Sequence, residues 1–307
     1  IILIQCIAVL LIILGIFFLI KLNFNKYYLI FINESKKNKY FILVISITFL
    51  YLLLSNSPVT NADALDYHLG VPMEILNSGH FPKDVYWFHG RLASIGELLI
   101  ALGLAVGAEQ FGSFVQFFGI IVILGIILKL NNTDDIINNN KIFIILAFLA
   151  SPIIIFLAST PKPQLLYIGG TSLAFTLTFF LFNKISKKEY LKNFSIIIFI
   201  LSISYLGKYY HLLSASIISI FAFYEMYKRK LFIKSIVRFL IIAIITVLPF
   251  IIWKYLNLGG SFINTFFNSI PIHLPGYEQF YESLSSCGYR CVPFWLFYPP
   301  AIGEFTQ

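Results

Sequence analysis

Charge is scarce in this chain of 307 residues, because Asp, Glu, Lys and Arg make up only 12% of it. A soluble domain is about one-quarter charged, so an ordinary soluble protein is excluded. No polar stretch is long enough to form a large soluble domain of its own. The chain also lacks a Walker loop, a dinucleotide fingerprint, a zinc motif and an internal repeat. The sequence therefore carries no signature of nucleotide or zinc binding.

Apolar side chains are what the chain has in abundance, at 59% of its residues. They form runs of membrane length from end to end, which predicts an all-α integral membrane protein, a polytopic helical bundle of about eight spans. The runs fall near 1–20, 40–54, 111–129, 142–158, 164–182, 194–207, 209–226 and 237–253. We expect residues 1–307 to form a single transmembrane domain. The chain starts without Met and ends at PPAIGEFTQ, so we also expect a fragment of a longer protein.

The net charge of +8 is explained by the membrane and requires no nucleic acid. If the loop 21–39 is cytoplasmic, alternation of the spans places sixteen of the 22 Lys and Arg residues on that side. All five histidines then lie on the outer side. The outer face therefore holds the residues suited to acid–base chemistry.

The membrane topology of two segments does not follow from apolar length alone. Residues 194–226 as one helix would be about 50 Å long, against a hydrocarbon core of about 30 Å, so we predict two spans hinged at Gly207 and Lys208. The apolar segment 92–108 carries Glu97. If it crossed alone, every later loop would change sides, so we predict a helix lying in the outer interface.

The first outer loop concentrates polar and aromatic residues. Its polar part, 55–91, contains Asp63, Asp66, His68, His89 and Arg91. Carboxylates at a membrane boundary serve as a general base or bind a divalent cation. The alternative interpretation is a solvated loop with an aromatic belt.

The segment PVTNADALDYHLGVPMEILNSGHFP, 58–82, resembles the first outer loop of polytopic GT-C glycosyltransferases related to the protein O-mannosyltransferases. Weaker similarities follow in GELL at 96–99, in Gln116, in STPKPQLLYIGG at 159–170 and in LPFIIWKYLNLGG at 248–260. Four positions depart from the family pattern: Gln164 stands for an acid, Lys254 for an Arg and Tyr255 for an Asn, and Pro72 comes later than the Pro of the family.

The resemblance implies a hexosyl or pentosyl transferase that takes a sugar from a polyprenyl-phosphate donor, with inversion, to a lipid or glycan acceptor. It implies a multi-pass protein of the bacterial inner membrane, part of the cell envelope machinery, with its active face on the periplasmic side. Residues 55–110 would be the catalytic outer loop with its interfacial helix, and 255–307 a second outer loop. In that second loop, Cys287 and Cys291 could pair in an oxidising exterior.

The resemblance also assigns roles to residues. Asp63 becomes the base, because it lies where a span meets the outer loop. Asp63 and Asp66 together become candidate ligands of Mg²⁺ or Mn²⁺. The other candidate catalytic residues are His68 and Glu97, and the candidate phosphate-binding residues are His89, Arg91, Lys162, Lys208 and Lys254.

Each candidate has a structural alternative. Asp63 and Asp66 fit a helix N-cap, His68 an aromatic belt, and Glu97 the wet face of an interfacial helix. Lys208 and Lys254 fit snorkelling side chains at span ends. The alternative functions are a surface-polysaccharide polymerase or ligase and, with less support, a transporter. A transporter predicts charged or broken segments near mid-membrane in two related halves, whereas the charges here gather at span ends.

Overall fold

The structure is a computed structural model that describes residues 2–21, 39–80, 82, 94–129, 139–181, 189–208 and 210–258. Within these ranges all regular structure is helical. The α-helices are α1 Ile2–Lys21, α2 Lys39–Leu54, α3 Gly70–Ser78, α4 Ile95–Leu104, α5 Phe111–Lys129, α6 Asn139–Leu149, α7 Pro152–Ala158, α8 Gln164–Thr176, α9 Tyr190–Gly207, α10 His211–Lys228 and α11 Phe232–Leu258. Two π-helical segments adjoin them, Ala64–Leu69 before α3 and Leu177–Leu181 after α8.

Three of these helices are long and apolar enough to cross a membrane: Phe111–Lys129, Tyr190–Gly207 and, within α11, Phe232–Trp253. A fourth span is added if α6 and α7, which meet at an angle of 62°, are counted together. Pro152 begins α7 and explains the bend, since its ring cannot continue the helix before it. The protein is thus a helical membrane protein, and the finer count of about eight spans stays a prediction.

The predicted break within 194–226 is confirmed. Helix α9 ends at Gly207, Lys208 has extended backbone angles, and α10 begins at His211. Helix α4 covers only 10 residues, which is about 15 Å. It is therefore too short to cross a core of about 30 Å, in agreement with the interfacial helix predicted for 92–108.

Helices α5 and α8 form the most extensive helix pair, and glycines allow their close approach. A Cβ on Gly119 would overlap the backbone of Leu165, and a Cβ on Gly169 would lie 2.9 Å from the carbonyl oxygen of Gly119. The side-chain oxygen of Gln116 accepts a hydrogen bond from the Leu165 amide at 2.7 Å. Gln116 therefore serves an unpaired amide at the start of α8, a structural role for the polar residue noted in the sequence.

Buried apolar clusters lie on both sides of this pair. One joins α2, α5, α6 and α7, and the other joins α8, α9 and α10. Helix α11 packs on α9 but leaves most of its apolar surface open, with Ile233 77% and Ile245 69% exposed. Exposed apolar side chains along a helix of this length fit contact with lipid.

Candidate functional site

Five of the residues singled out in the sequence meet at one place, although they come from four separate segments. Asp63 and His68 lie in the helical run 62–78, Glu97 in α4, Lys162 in the turn between α7 and α8, and Lys208 at the end of α9. These five residues are called the loop site below. Helix α4 contacts α3, the π-helical segment and α9, and so brings three of the four segments together.

Asp63 forms an ion pair with Lys162. The lysine side chain is 7% exposed and the aspartate side chain 30% exposed, so the pair lies at the edge of the buried region. Lys162 stands between Pro161 and Pro163, whose rings fix the backbone of this turn. A Cβ on Gly112 would overlap Pro161, which shows how closely the turn packs on α5. The lysine is thus held in place by a rigid turn.

The helix N-cap interpretation of Asp63 is wrong, because another residue does that work. The side-chain oxygen of Asn61 accepts the Ala64 amide at 3.1 Å, while Asp63 has helical backbone angles and makes no capping hydrogen bond. Asp66 lies in the first turn of the π-helical segment and is exposed. Three residues apart, the two carboxylates have different surroundings.

His68 and Glu97 form a buried pair, with 2.9 Å between Nδ1 and Oε1 and both side chains 0% exposed. The aromatic-belt interpretation of His68 and the wet-face interpretation of Glu97 are therefore wrong. The π-helical turn buries both Tyr67 and His68, whose ring centroids lie 4.2 Å apart. Single π-turns of this kind are frequent at functional sites.

Glu97 accepts hydrogen bonds from three donors. Besides His68, the backbone amide of Ser94 donates to Oε2 at 2.7 Å and the Ser94 hydroxyl donates to it at 2.5 Å. Ser94 also accepts the Gly96 amide, which completes a capping box at the start of α4. Burial disfavours the charged carboxylate, but the hydrogen bonds from His68 and Ser94 and the nearby ammonium of Lys208 outweigh it and hold the pKa of Glu97 below its ordinary value.

Because a carboxylate only accepts hydrogen bonds, Nδ1 of His68 must carry the proton that Glu97 receives. The lone pair of a neutral imidazole then lies on Nε2. That atom is buried and has no hydrogen-bond partner among the described residues. Burial lowers the pKa of His68, more than Glu97 raises it. The pair is thus a carboxylate that orients a neutral imidazole.

Lys208 approaches the pair from α9. Its ammonium lies 5.4 Å from the ring centroid of Tyr67, within cation–π range, and it acts electrostatically on both His68 and Glu97. Tyr167 packs closely against both α4 and α9, since a Cβ on either Gly96 in α4 or Gly207 in α9 would overlap its side chain.

Three residues of the surroundings were not singled out from the sequence. Ser94 had a signal, because Ser-x-x-Glu before an apolar run is a capping box. Tyr167 and His211 had none, since their roles depend on packing between distant helices. His211 is buried, with Nδ1 3.4 Å from the Thr171 hydroxyl and Nε2 unpartnered among the described residues.

The remaining predicted residues do not join the loop site in the described part of the chain. His89, Arg91 and both cysteines of the second outer loop lie outside the described residues, as does the side chain of Lys254. Asp63 contacts an ammonium, and no group of three His, Cys, Asp or Glu ligands occurs among the described residues, so Mg²⁺ or Mn²⁺ at Asp63 and Asp66 stays a prediction. We therefore derive no step through a metal.

Comparison with known proteins gives one match. No curated protein and no solved structure matches the chain. The family model of the DUF1420 N-terminal domain matches residues 4–306, nearly the whole length. The chain therefore belongs to the DUF1420 N-terminal domain family.

Proposed function

We propose that the protein is a membrane glycosyltransferase that transfers a sugar from a polyprenyl-phosphate donor, with inversion, to a lipid or glycan acceptor on the non-cytoplasmic face. One observation carries the proposal: the loop site gathers carboxylates, an imidazole and two ammonium groups from four segments of an otherwise apolar chain. Buried ionisable groups that perturb one another's pKa values cluster at functional sites.

The reaction needs two kinds of groups, and the loop site contains both. A base must take the proton of the acceptor hydroxyl while its oxygen attacks the anomeric carbon. Cations must stabilise the charge that develops on the leaving phosphate. Asp63 is the base in this proposal, and Lys162 and Lys208 are the cations. Asp63 is partly exposed and so can meet an acceptor that arrives from water or from the membrane.

The experiment is a transfer assay with a polyprenyl-phosphate sugar and two matched variants. Asp63→Asn keeps the side-chain shape but cannot accept the proton, so we expect turnover to fall roughly 10²–10⁴-fold without weaker donor binding. Asp66→Asn removes an exposed carboxylate three residues away and serves as the control, with near-normal turnover expected. If Asp66→Asn is inactive and Asp63→Asn is active, the roles are reversed. If neither matters, the enzyme proposal fails.

A further inference from the structure

The ion pair between Asp63 and Lys162 poses a problem for a site that must bind phosphate. Lys162 is the more deeply buried partner, and its turn is fixed by two prolines and by packing on α5. A buried ammonium without an anion in contact is strongly unfavourable, because its lost hydration is not replaced. Lys162 therefore needs an anionic partner at all times. In this structure Asp63 is that partner.

The same contact restrains Asp63. An ammonium beside a carboxylate stabilises its charged form and engages a lone pair that a proton would take. Asp63 is the more exposed partner and lies near the start of its helical run, whereas Lys162 is held in a tight turn. If the pair separates, Asp63 is the member that can reach water.

A second cation is already in place. No ion pair to Lys208 occurs among the described residues, where its charge is met by the face of the Tyr67 ring at 5.4 Å. Both Lys162 and Lys208 act electrostatically on His68, so both ammonium groups lie near the site. An incoming anion would therefore meet Lys208 and compete with Asp63 for Lys162.

We propose that a phosphate group replaces Asp63 as the ionic partner of Lys162, so that binding of a phosphorylated lipid releases the Asp63 carboxylate. The exchange keeps the buried ammonium paired throughout. Its use in catalysis rests on the function proposed above. The acceptor proton then moves to the freed carboxylate, the acceptor oxygen bonds to the anomeric carbon, and the bond from that carbon to the phosphate oxygen breaks with its electron pair going to the phosphate.

The exchange predicts that removal of the Asp63 carboxylate makes the ligand bind more tightly. Where Asp63 competes with phosphate, the apparent affinity of the wild type is reduced by the fraction of molecules in which Lys162 is available. Asp63→Asn removes the competitor, so farnesyl phosphate should bind about tenfold more tightly or better. If Asp63 instead supports the phosphate, directly or through a cation, the same variant should bind more weakly.

The measurement is the Kd of farnesyl phosphate for the full purified chain in detergent, by calorimetry. Glu109→Gln, which removes an exposed carboxylate outside the loop site, is the control for loss of one negative charge and should match the wild type. Lys162→Gln should weaken binding. Because that variant removes the ammonium that contacts Asp63, the double variant Asp63→Asn/Lys162→Gln is measured as well, and in it the tightening should be lost. An Asp63→Asn affinity equal to or below that of the wild type overturns the exchange.

Two further ligands separate the sources of the effect. Inorganic phosphate should also bind more tightly to Asp63→Asn, but more weakly than farnesyl phosphate, since the lipid chain adds apolar contact. Farnesol has no phosphate and should bind both forms equally; if it too tightens in Asp63→Asn, the proposal is overturned. If Asp63→Asn binds farnesyl phosphate more tightly but the wild type transfers no sugar, the exchange stands and the glycosyltransferase proposal fails. If the wild type transfers sugar but Asp63→Asn does not bind more tightly, the exchange fails and the glycosyltransferase proposal stands.

Discussion

Replacement of Glu97 by Gln tests how much the buried pair contributes to stability. The carboxylate accepts hydrogen bonds from His68 and from two groups of Ser94. Hydrogen bonds to a charged group contribute about 1.5–3 kcal/mol each, and those between neutral groups about 0.5–1.5 kcal/mol. Making three bonds neutral would therefore cost about 3–5 kcal/mol. Relief of the desolvation of a buried charge offsets part of this cost, so we expect a loss of about 2–4 kcal/mol in the free energy of unfolding.

The assay is reversible denaturation of the detergent-solubilised chain, followed by circular dichroism. Glu109→Gln removes a carboxylate that is exposed just beyond α4, and it should change the free energy of unfolding by no more than about 0.5 kcal/mol. If Glu97→Gln is as stable as Glu109→Gln, the buried pair contributes nothing to stability, which would contradict the hydrogen bonds described around α4.

The pH dependence of the stability is a second test of the pair formed by His68 and Glu97. The pKa of His68 is lowered from 6.5, so the unfolded chain takes up a proton first and stability falls as the pH drops below about 6.5. The pKa of Glu97 is lowered from 4.5, so its contribution is present above 4.5 and is lost as the pH falls below that value. The stability gap between wild type and Glu97→Gln should therefore shrink below pH 4.5. A gap that is constant down to pH 3 would contradict the pairing.

Two further predictions concern the bundle. Reporter fusions after residues 38, 138, 188 and 231 should report the cytoplasm and fusions near 80 and 275 the exterior; an exterior signal at 231 would contradict α9 and α10 as two spans. Gly207→Ala places a Cβ against the ring of Tyr167 and should lower the free energy of unfolding by about 1–3 kcal/mol. Gly125→Ala is the control, because no atom lies within 4 Å of the added carbon, and it should not destabilise the protein. Equal stability of the two variants would contradict the packing of Tyr167.

The sequence predicted the helices well because apolar runs and their interruptions are local features. The run 111–129 coincides with α5, and the break at Lys208 follows from helix length against membrane thickness. Two irregularities of the helices were missed. The bend between α6 and α7 within the predicted span 142–158 requires Pro152 to stop one helix and start another. The π-helical turn at Ala64–Leu69 has no sequence signature at all.

At the loop site, the sequence identified the residues but did not predict how they pair. Asp63, His68 and Glu97 stand out because charge is rare in this chain and because they follow a motif-like pattern. Their pairing does not follow from the pattern, since His68 and Glu97 are 29 residues apart and meet through the packing of two short helices. The ion pair of Asp63 with Lys162 joins residues almost a hundred positions apart and was equally beyond local reasoning.

The fold alone does not require these buried charges. A buried ion pair is often no more stabilising than apolar side chains of similar size, and this chain has apolar side chains in abundance. The loop site is also confined to helix ends, turns and helices too short to cross a membrane. Such positions fit the proposed reaction between a membrane-anchored phosphate and an acceptor from outside better than they fit a transporter site near mid-membrane.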